Sequence, residues 1–289
     1  DSPGWPDPSA GAPVAPPNLD LQVEPPTAFL LSEPTIALAV AAALEASRHA
    51  GLEHARLASD RAACVIGTSK GGVVMWEREA IPHLRAASEL APSEAAWWSC
   101  LAPNGAASAV ASLFNLQGGS LAPVTACATG LSSIIRGADL IRHGECDVVL
   151  AGSSDASLTP AVLASFRKLG VLADRNLNPA EAVKPYDRNR TGFLVGAGAG
   201  IVVLESEAHA KARGAKPIAE WLTGGMACEA SGIAQLEEKP EALTWLIRDV
   251  LRRSGVAPGE IDYISLHGTA TKANDIAEVR AVKAAFGPD

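Results

Sequence analysis

Two residues in this chain have the type and setting for covalent chemistry. Cys127 lies in VTACATGLSS, after an apolar stretch and before an amphipathic run, and His267 opens HGTAT directly behind IDYISL. At a helix N-terminus the partial positive charge and free N–H groups favour thiolate, lowering a cysteine pKa from about 8.5 toward neutrality. The same N–H groups can hold an oxyanion after attack on a thioester carbonyl. A neutral histidine facing such a pocket can donate a hydrogen bond to an enolate oxygen or move a proton. Together the two residues point to acyl transfer. Taken singly each has a plainer reading, because a lone cysteine among alanines is more often buried and inert and a lone histidine after a strand is more often structural.

The elements that must position them follow from periodicity. Ser32 and Pro34 open a helix with apolar Ile36, Val40, Ala43 and Leu44 on one face, ended by Gly51. ACVIGT (63–68) reads as a buried strand. A strand at 121–125, a helix over 129–143, and strands at 146–152 and 200–206 come next. A second helix carries Leu243, Leu246, Ile247, Val250 and Leu251, with SGVAPGE as the turn and IDYISL (261–266) as the strand. Strands alternating with helices imply an α/β layered fold with a largely parallel sheet. Ligands bind such sheets at the carboxyl ends of the strands, where Cys127 and His267 both fall.

Composition narrows the function classes. The chain has 289 residues, 48% hydrophobic and 19% charged, enough for a large core. A net charge of −8 argues against a nucleic-acid binder. The five cysteines (64, 100, 127, 146 and 228) form no C-x-x-C, which disfavours a zinc site or disulfide framework and suits a reducing compartment. His143 and Cys146 in HGEC read as a helix end rather than a metal site. No charge-free run of 18 apolar residues is present. The Pro/Ala-rich opening through Pro26 reads as an extended surface segment, and the initial Asp implies that something upstream was removed.

The wording around both residues resembles the β-ketoacyl-[acyl-carrier-protein] synthases, condensing enzymes of the thiolase fold. The family's T-A-C-A-T-G is matched by Thr125 to Gly130, and its H-G-T-G-T by His267 to Thr271 with a trailing acidic pair, Asp275 and Glu278. PYDRNRTGF (185–193) matches P-F-D-x-x-R-x-G-F, GAGAG (196–200) matches G-E-G-A-G, and residues 101–119 resemble the segment before the nucleophile strand. The resemblance covers about 32–287, and the joint spacing is more specific than any single motif.

It implies a thiolase-like α/β fold of two similar halves with the site between them, here an extended 1–28, an N-terminal half over 29–195 and an incomplete C-terminal half over 196–289. Cys127 would accept an acyl group from an acyl carrier protein, and a malonyl thioester would lose CO₂ and attack it. His267 would be one of two histidines stabilising the enolate. Thr269 and Thr271, with Phe193, would contact the phosphopantetheine arm and substrate, no resident cofactor or metal is expected, and the protein would be a cytoplasmic homodimer in fatty-acid or polyketide biosynthesis. The segment 166–193 carries Arg167, Lys168, Arg175, Lys184, Arg188 and Arg190 against three acids and could dock an acidic carrier, or be an ordinary solvated loop.

Departures are equally specific. The chain lacks the family's opening strand, its K-S-x-x-G-H lysine and second histidine, and its late glycine-rich loop, so it reads as an excerpt or a degenerate fragment without the full set of reacting groups. Ala197 replaces a glutamate and Ala270 a glycine. A truncated, non-catalytic partner of an active synthase is the alternative, disfavoured because the nucleophile is kept, and a thiolase acting on coenzyme A esters is weaker still. GAGAG and GTSKGG (67–72) read as tight turns rather than nucleotide loops, and the Trp97 and Trp98 pair as core or interface rather than an acyl tunnel.

Overall fold

The computed structural model describes residues 31–52, 57–86, 97–230, 232 and 239–287. The Pro/Ala-rich opening and the side chains of Trp97 and Trp98 lie outside the described residues. The chain forms two compact units. One holds the described residues up to Thr159 together with Gly196–Glu220; the other holds Pro160–Val195 and the described residues from Trp221 onward.

The first unit is built on a four-stranded sheet of β1 (Ala62–Gly67), β2 (Ser120–Leu121), β3 (Val148–Asp155) and β4 (Gly198–Glu205) in the order β2-β1-β3-β4. β1 runs parallel to β2 and β3, and β4 returns antiparallel beside β3. Alternation sends side chains to two cores. Cys64, Ile66, Val148 and Leu150 face α1 (Pro34–His49) and α2 (Gly105–Phe114), where they meet Ile36, Val40, Val110 and Phe114. Ala63, Val65, Val149 and Ala151 face α3 (Thr129–Arg142) with Leu140 and Cys146. Helices on both faces explain why β1 and β3 read as unbroken apolar runs.

Several expected elements shift. The helix cap is Glu33 rather than Ser32: its carboxylate accepts the Thr35 N–H at 3.3 Å and the Met75 N–H at 2.8 Å, and burial pushes its pKa up. The strand expected at 121–125 is only two residues, because the chain leaves the ladder at Pro123, which has no N–H to give. Gly198 and Gly200 of GAGAG belong to β4 itself rather than to a turn before it. HGEC does close a helix, with His143 as the C-cap of α3 and Gly144 left-handed.

The second unit contains α4 (Pro160–Lys168), α5 (Glu241–Ser254) and α6 (Lys272–Phe286), the last two packed together. Gly255 ends α5 in the left-handed region, and Pro258–Glu260 makes the expected turn. IDYISL forms no strand: no described segment pairs with it, and Tyr263 is 81% exposed. An apolar run supplies one face of a strand, whereas a ladder also needs a neighbour's N–H and C=O groups.

Candidate active site

The Cys127 loop is held from three sides. Ala126–Ala128 form a single 3-10 turn between β2 and α3, so Cys127 sits just ahead of the α-helix and is exposed. The Thr129 hydroxyl spans the loop, accepting the Thr125 N–H at 3.0 Å and donating to the Ala126 carbonyl at 2.7 Å. The Thr125 and Ser132 hydroxyls meet at 2.8 Å. This bracing explains why threonines flank A-C-A. Ala126 sits at φ 50, a left-handed conformation that costs a non-glycine residue about 1–2 kcal/mol, and the hydroxyl network holds it there.

The sheet presses against this loop. A Cβ on Gly67, the last residue of β1, would lie 2.2 Å from the Pro123 carbonyl and 2.3 Å from the Thr129 methyl, so only glycine allows the approach. Beside it, Asp155 at the carboxyl end of β3 accepts the backbone N–H groups of Ser69 at 3.2 Å and Ser157 at 3.1 Å, both serine hydroxyls, and an ion pair from Lys70 at 3.6 Å. Burial raises its pKa, but the two serines and Lys70 outweigh it and hold the carboxyl below the usual range. Asp155 therefore ties the GTSKGG loop to the end of β3. Asp155 matches none of the motifs above, and its one signal in the sequence is G-S-S-D closing an apolar strand.

Cys127 differs from the cysteines of the core. Cys64, Cys100 and Cys146 are buried; burial pushes the Cys64 thiol up to about 11, and burial with the nearby Glu33 charge pushes Cys100 up to about 12. Burial also raises Cys146. Such thiols are poor nucleophiles. Cys127 and Cys228 are the exposed ones among the described cysteines.

His267, Thr269, Thr271 and Phe193 belong to the second unit, Cys127 to the first. His267 and Gly268 are fixed by their backbone: both N–H groups donate to Glu278, at 2.6 and 2.9 Å. Glu278 also accepts from the Tyr186 hydroxyl at 3.0 Å and from Asn274 at 2.9 Å. Burial raises its pKa, yet these four donors prevail and hold the carboxylate below its usual range. Burial and the Glu278 charge push the Tyr186 hydroxyl up to about 12. Asp275, only 1% exposed, pairs with Arg190 at 3.1 Å and accepts the Tyr186 N–H at 2.8 Å. The Thr269 and Thr271 hydroxyls meet at 2.8 Å. Phe193 packs edge-on to Phe166, with centroids 5.6 Å apart.

Arg190 leaves the expected basic docking segment. Its guanidinium is taken by Asp275 and by the carbonyls of Asp187, Thr271 and Lys272. Arg167, Lys168, Arg175 and Arg188 remain exposed. Ala270 is at φ 60 and Tyr186 at φ 64, so with Ala126 a left-handed non-glycine residue marks each of the three main motifs.

Residues 25–210 match the family described as Beta-ketoacyl synthase, N-terminal domain, and residues 218–289 match its C-terminal domain. The chain belongs to the β-ketoacyl synthase family. The chain is 35% identical over 250 residues to 3-oxoacyl-[acyl-carrier-protein] synthase 2 of Vibrio cholerae, covering 86% of itself and 59% of the relative. With the synthase of the same description from Coxiella burnetii it shares 38% over 184 residues, 64% of itself and 44% of the relative. The chain thus spans about half the length of these curated relatives.

Its fold is the mixed α/β, thiolase-like ketosynthase fold. A solved type II PKS acyl-carrier protein in complex with its ketosynthase bound to the hexaketide matches with a TM-score of 0.80 and 30% identity, over 88% of this chain and 64% of that one. The ishigamide ketosynthase/chain length factor matches with a TM-score of 0.76 and 33% identity, over 88% and 60%. Among the described residues no helix is long and apolar enough to cross a membrane.

Proposed function

We propose that this chain carries the acyl-accepting step of a 3-oxoacyl-acyl-carrier-protein synthase in fatty-acid or polyketide synthesis. The observation that carries the reading is the exposed Cys127 on a strained, hydroxyl-braced turn directly ahead of α3, set in the family's motif. The Cys127 thiolate attacks the thioester carbonyl of an acylated carrier, forming a new thioester as the carrier's pantetheine thiolate leaves. The positive end of the α3 dipole, just behind Cys127, favours the charge that develops on the carbonyl oxygen. A malonyl thioester then loses CO₂; the bond electrons pass into an enolate whose oxygen takes a hydrogen bond from His267. The enolate carbon attacks the acyl carbonyl and Cys127 leaves as thiolate. Thr269 and Thr271, a hydroxyl pair with capacity left on both oxygens, hold the pantetheine amides, and Phe193 lines the acyl path. Arg167, Lys168, Arg175 and Arg188 dock the acidic carrier. A homodimer and a cytoplasmic setting belong to the same proposal.

Intact-protein mass spectrometry after incubation with an acylated carrier protein tests the reading. We expect an acyl adduct on Cys127 that is absent from Cys127→Ala. No adduct on the wild-type chain overturns it and assigns the chain the role of a non-acylated partner of a second synthase chain.

A further inference from the structure

Tyr186 occupies an unusual position within the second unit. It is held at φ 64 outside any helix, a conformation that costs a tyrosine about 1–2 kcal/mol. From there it reaches both acids of α6, which stand three residues apart on one helical face. Its N–H donates to Asp275 at 2.8 Å and its hydroxyl to Glu278 Oε2 at 3.0 Å. Glu278 in turn spends Oε1 on the His267 N–H and shares Oε2 with the Gly268 N–H. A Cβ on Gly268 would come within 3.3 Å of the Tyr186 hydroxyl, so the phenol lies directly over the His-Gly turn. The corresponding position of the resembling motif is a phenylalanine, which has the ring and no donor.

We infer that Tyr186 is a positioning residue for His267, acting through Glu278: its hydroxyl fixes the carboxylate that holds the His267 and Gly268 N–H groups. The inference rests on the reading of His267 as the enolate-stabilising group. The Tyr186 hydroxyl, lying over the turn, joins the Gly268 N–H and the Asn274 amide on Oε2, and it is the donor that ties the carboxylate to a segment outside both the turn and α6. The charged and titratable groups around Glu278 are Tyr186, His267, Asp275 and Arg190, with the neutral Asn274 as its fourth donor.

The test is the Tyr186→Phe variant of the same chain, which keeps the ring. In isotope-labelled protein, the amide signals of His267 and Gly268 report the protonation of the carboxylate they donate to. Glu278→Gln identifies the step, because it removes the acid-range titration of both amides. In Tyr186→Phe we expect the acid-range midpoint to rise by about 1 pH unit, since one hydrogen bond to the charged form is gone. The acid limb of malonyl-carrier decarboxylation should move with it. An unchanged midpoint in Tyr186→Phe overturns the inference, as does persistence of the titration in Glu278→Gln. The amide measurement needs no turnover, so a missing Cys127 adduct would sink the proposed reaction while leaving the Tyr186–Glu278–His267 link to be judged separately.

Discussion

The Cys127 loop and the His267 turn solve the same mechanical problem with different chemistry. Both hold a candidate side chain in a turn that contains a left-handed alanine, Ala126 next to Cys127 and Ala270 three residues after His267. The loop is braced by neutral hydroxyls, Thr129 and Thr125 with Ser132, and pressed against the end of β1. The turn is braced by a carboxylate, Glu278, with the Asp275–Arg190 pair beside it. A hydroxyl does not titrate in the working range, whereas a carboxylate does. The frame of Cys127 is therefore indifferent to acid and the frame of His267 is not.

The largest expected effect lies in the loop. Cys127→Ala should abolish the acyl adduct altogether in mass spectrometry, while leaving the amide signals of His267 and Gly268 in place. Thiol alkylation of the native chain at neutral pH should mark Cys127 and Cys228 and spare Cys64, Cys100 and Cys146, which should react only after unfolding. Rapid labelling of a core cysteine would contradict the packing of both faces of the sheet. Thr129→Val removes a buried hydroxyl that serves two partners and should cost about 1–3 kcal/mol in urea unfolding. That cost should be equal at pH 7 and pH 4.

Glu278→Gln should behave in the opposite way. The folded carboxyl titrates below the ordinary 4.5, so its stabilising contribution is complete above that value and is lost as pH falls through the lower, folded one. Wild type and Glu278→Gln should thus differ in urea midpoint at pH 7 and converge in acid. The smallest effect belongs to Ala270→Gly: the relief at φ 60 is offset by chain entropy and by a lost buried methyl, leaving a change within about 1 kcal/mol.

Much of the frame was legible because periodicity and chemistry agreed there. β1, β3, β4, α1, α3 and α5 fall within a few residues of their expected places, and the nucleophile turn sits where an apolar run gave way to small residues. What escaped depends on contacts distant in sequence. IDYISL has the pattern of a strand but no paired neighbour among the described residues. Glu33, just ahead of α1, accepts the N–H of Met75, a contact that local spacing does not show. Arg190 counted as a docking charge until Asp275, far along the chain, claimed it. The trailing acids were visible as a motif, but their use as backbone acceptors for His267 and Gly268 was not, since spacing along a helix does not say which turn lies above it.

The antiparallel return of β4 bears on how this chain acquires its structure. β3 is complete at Asp155, yet its partner edge arrives only with Gly198–Glu205, after the whole of Pro160–Val195 has been laid down elsewhere. During synthesis, the sheet would wait with one edge bare and Cys127 already in its loop, a state prone to pairing with other chains. Ribosome exposure of residue 205, and not of Cys127, is then the event that completes the sheet of the first unit.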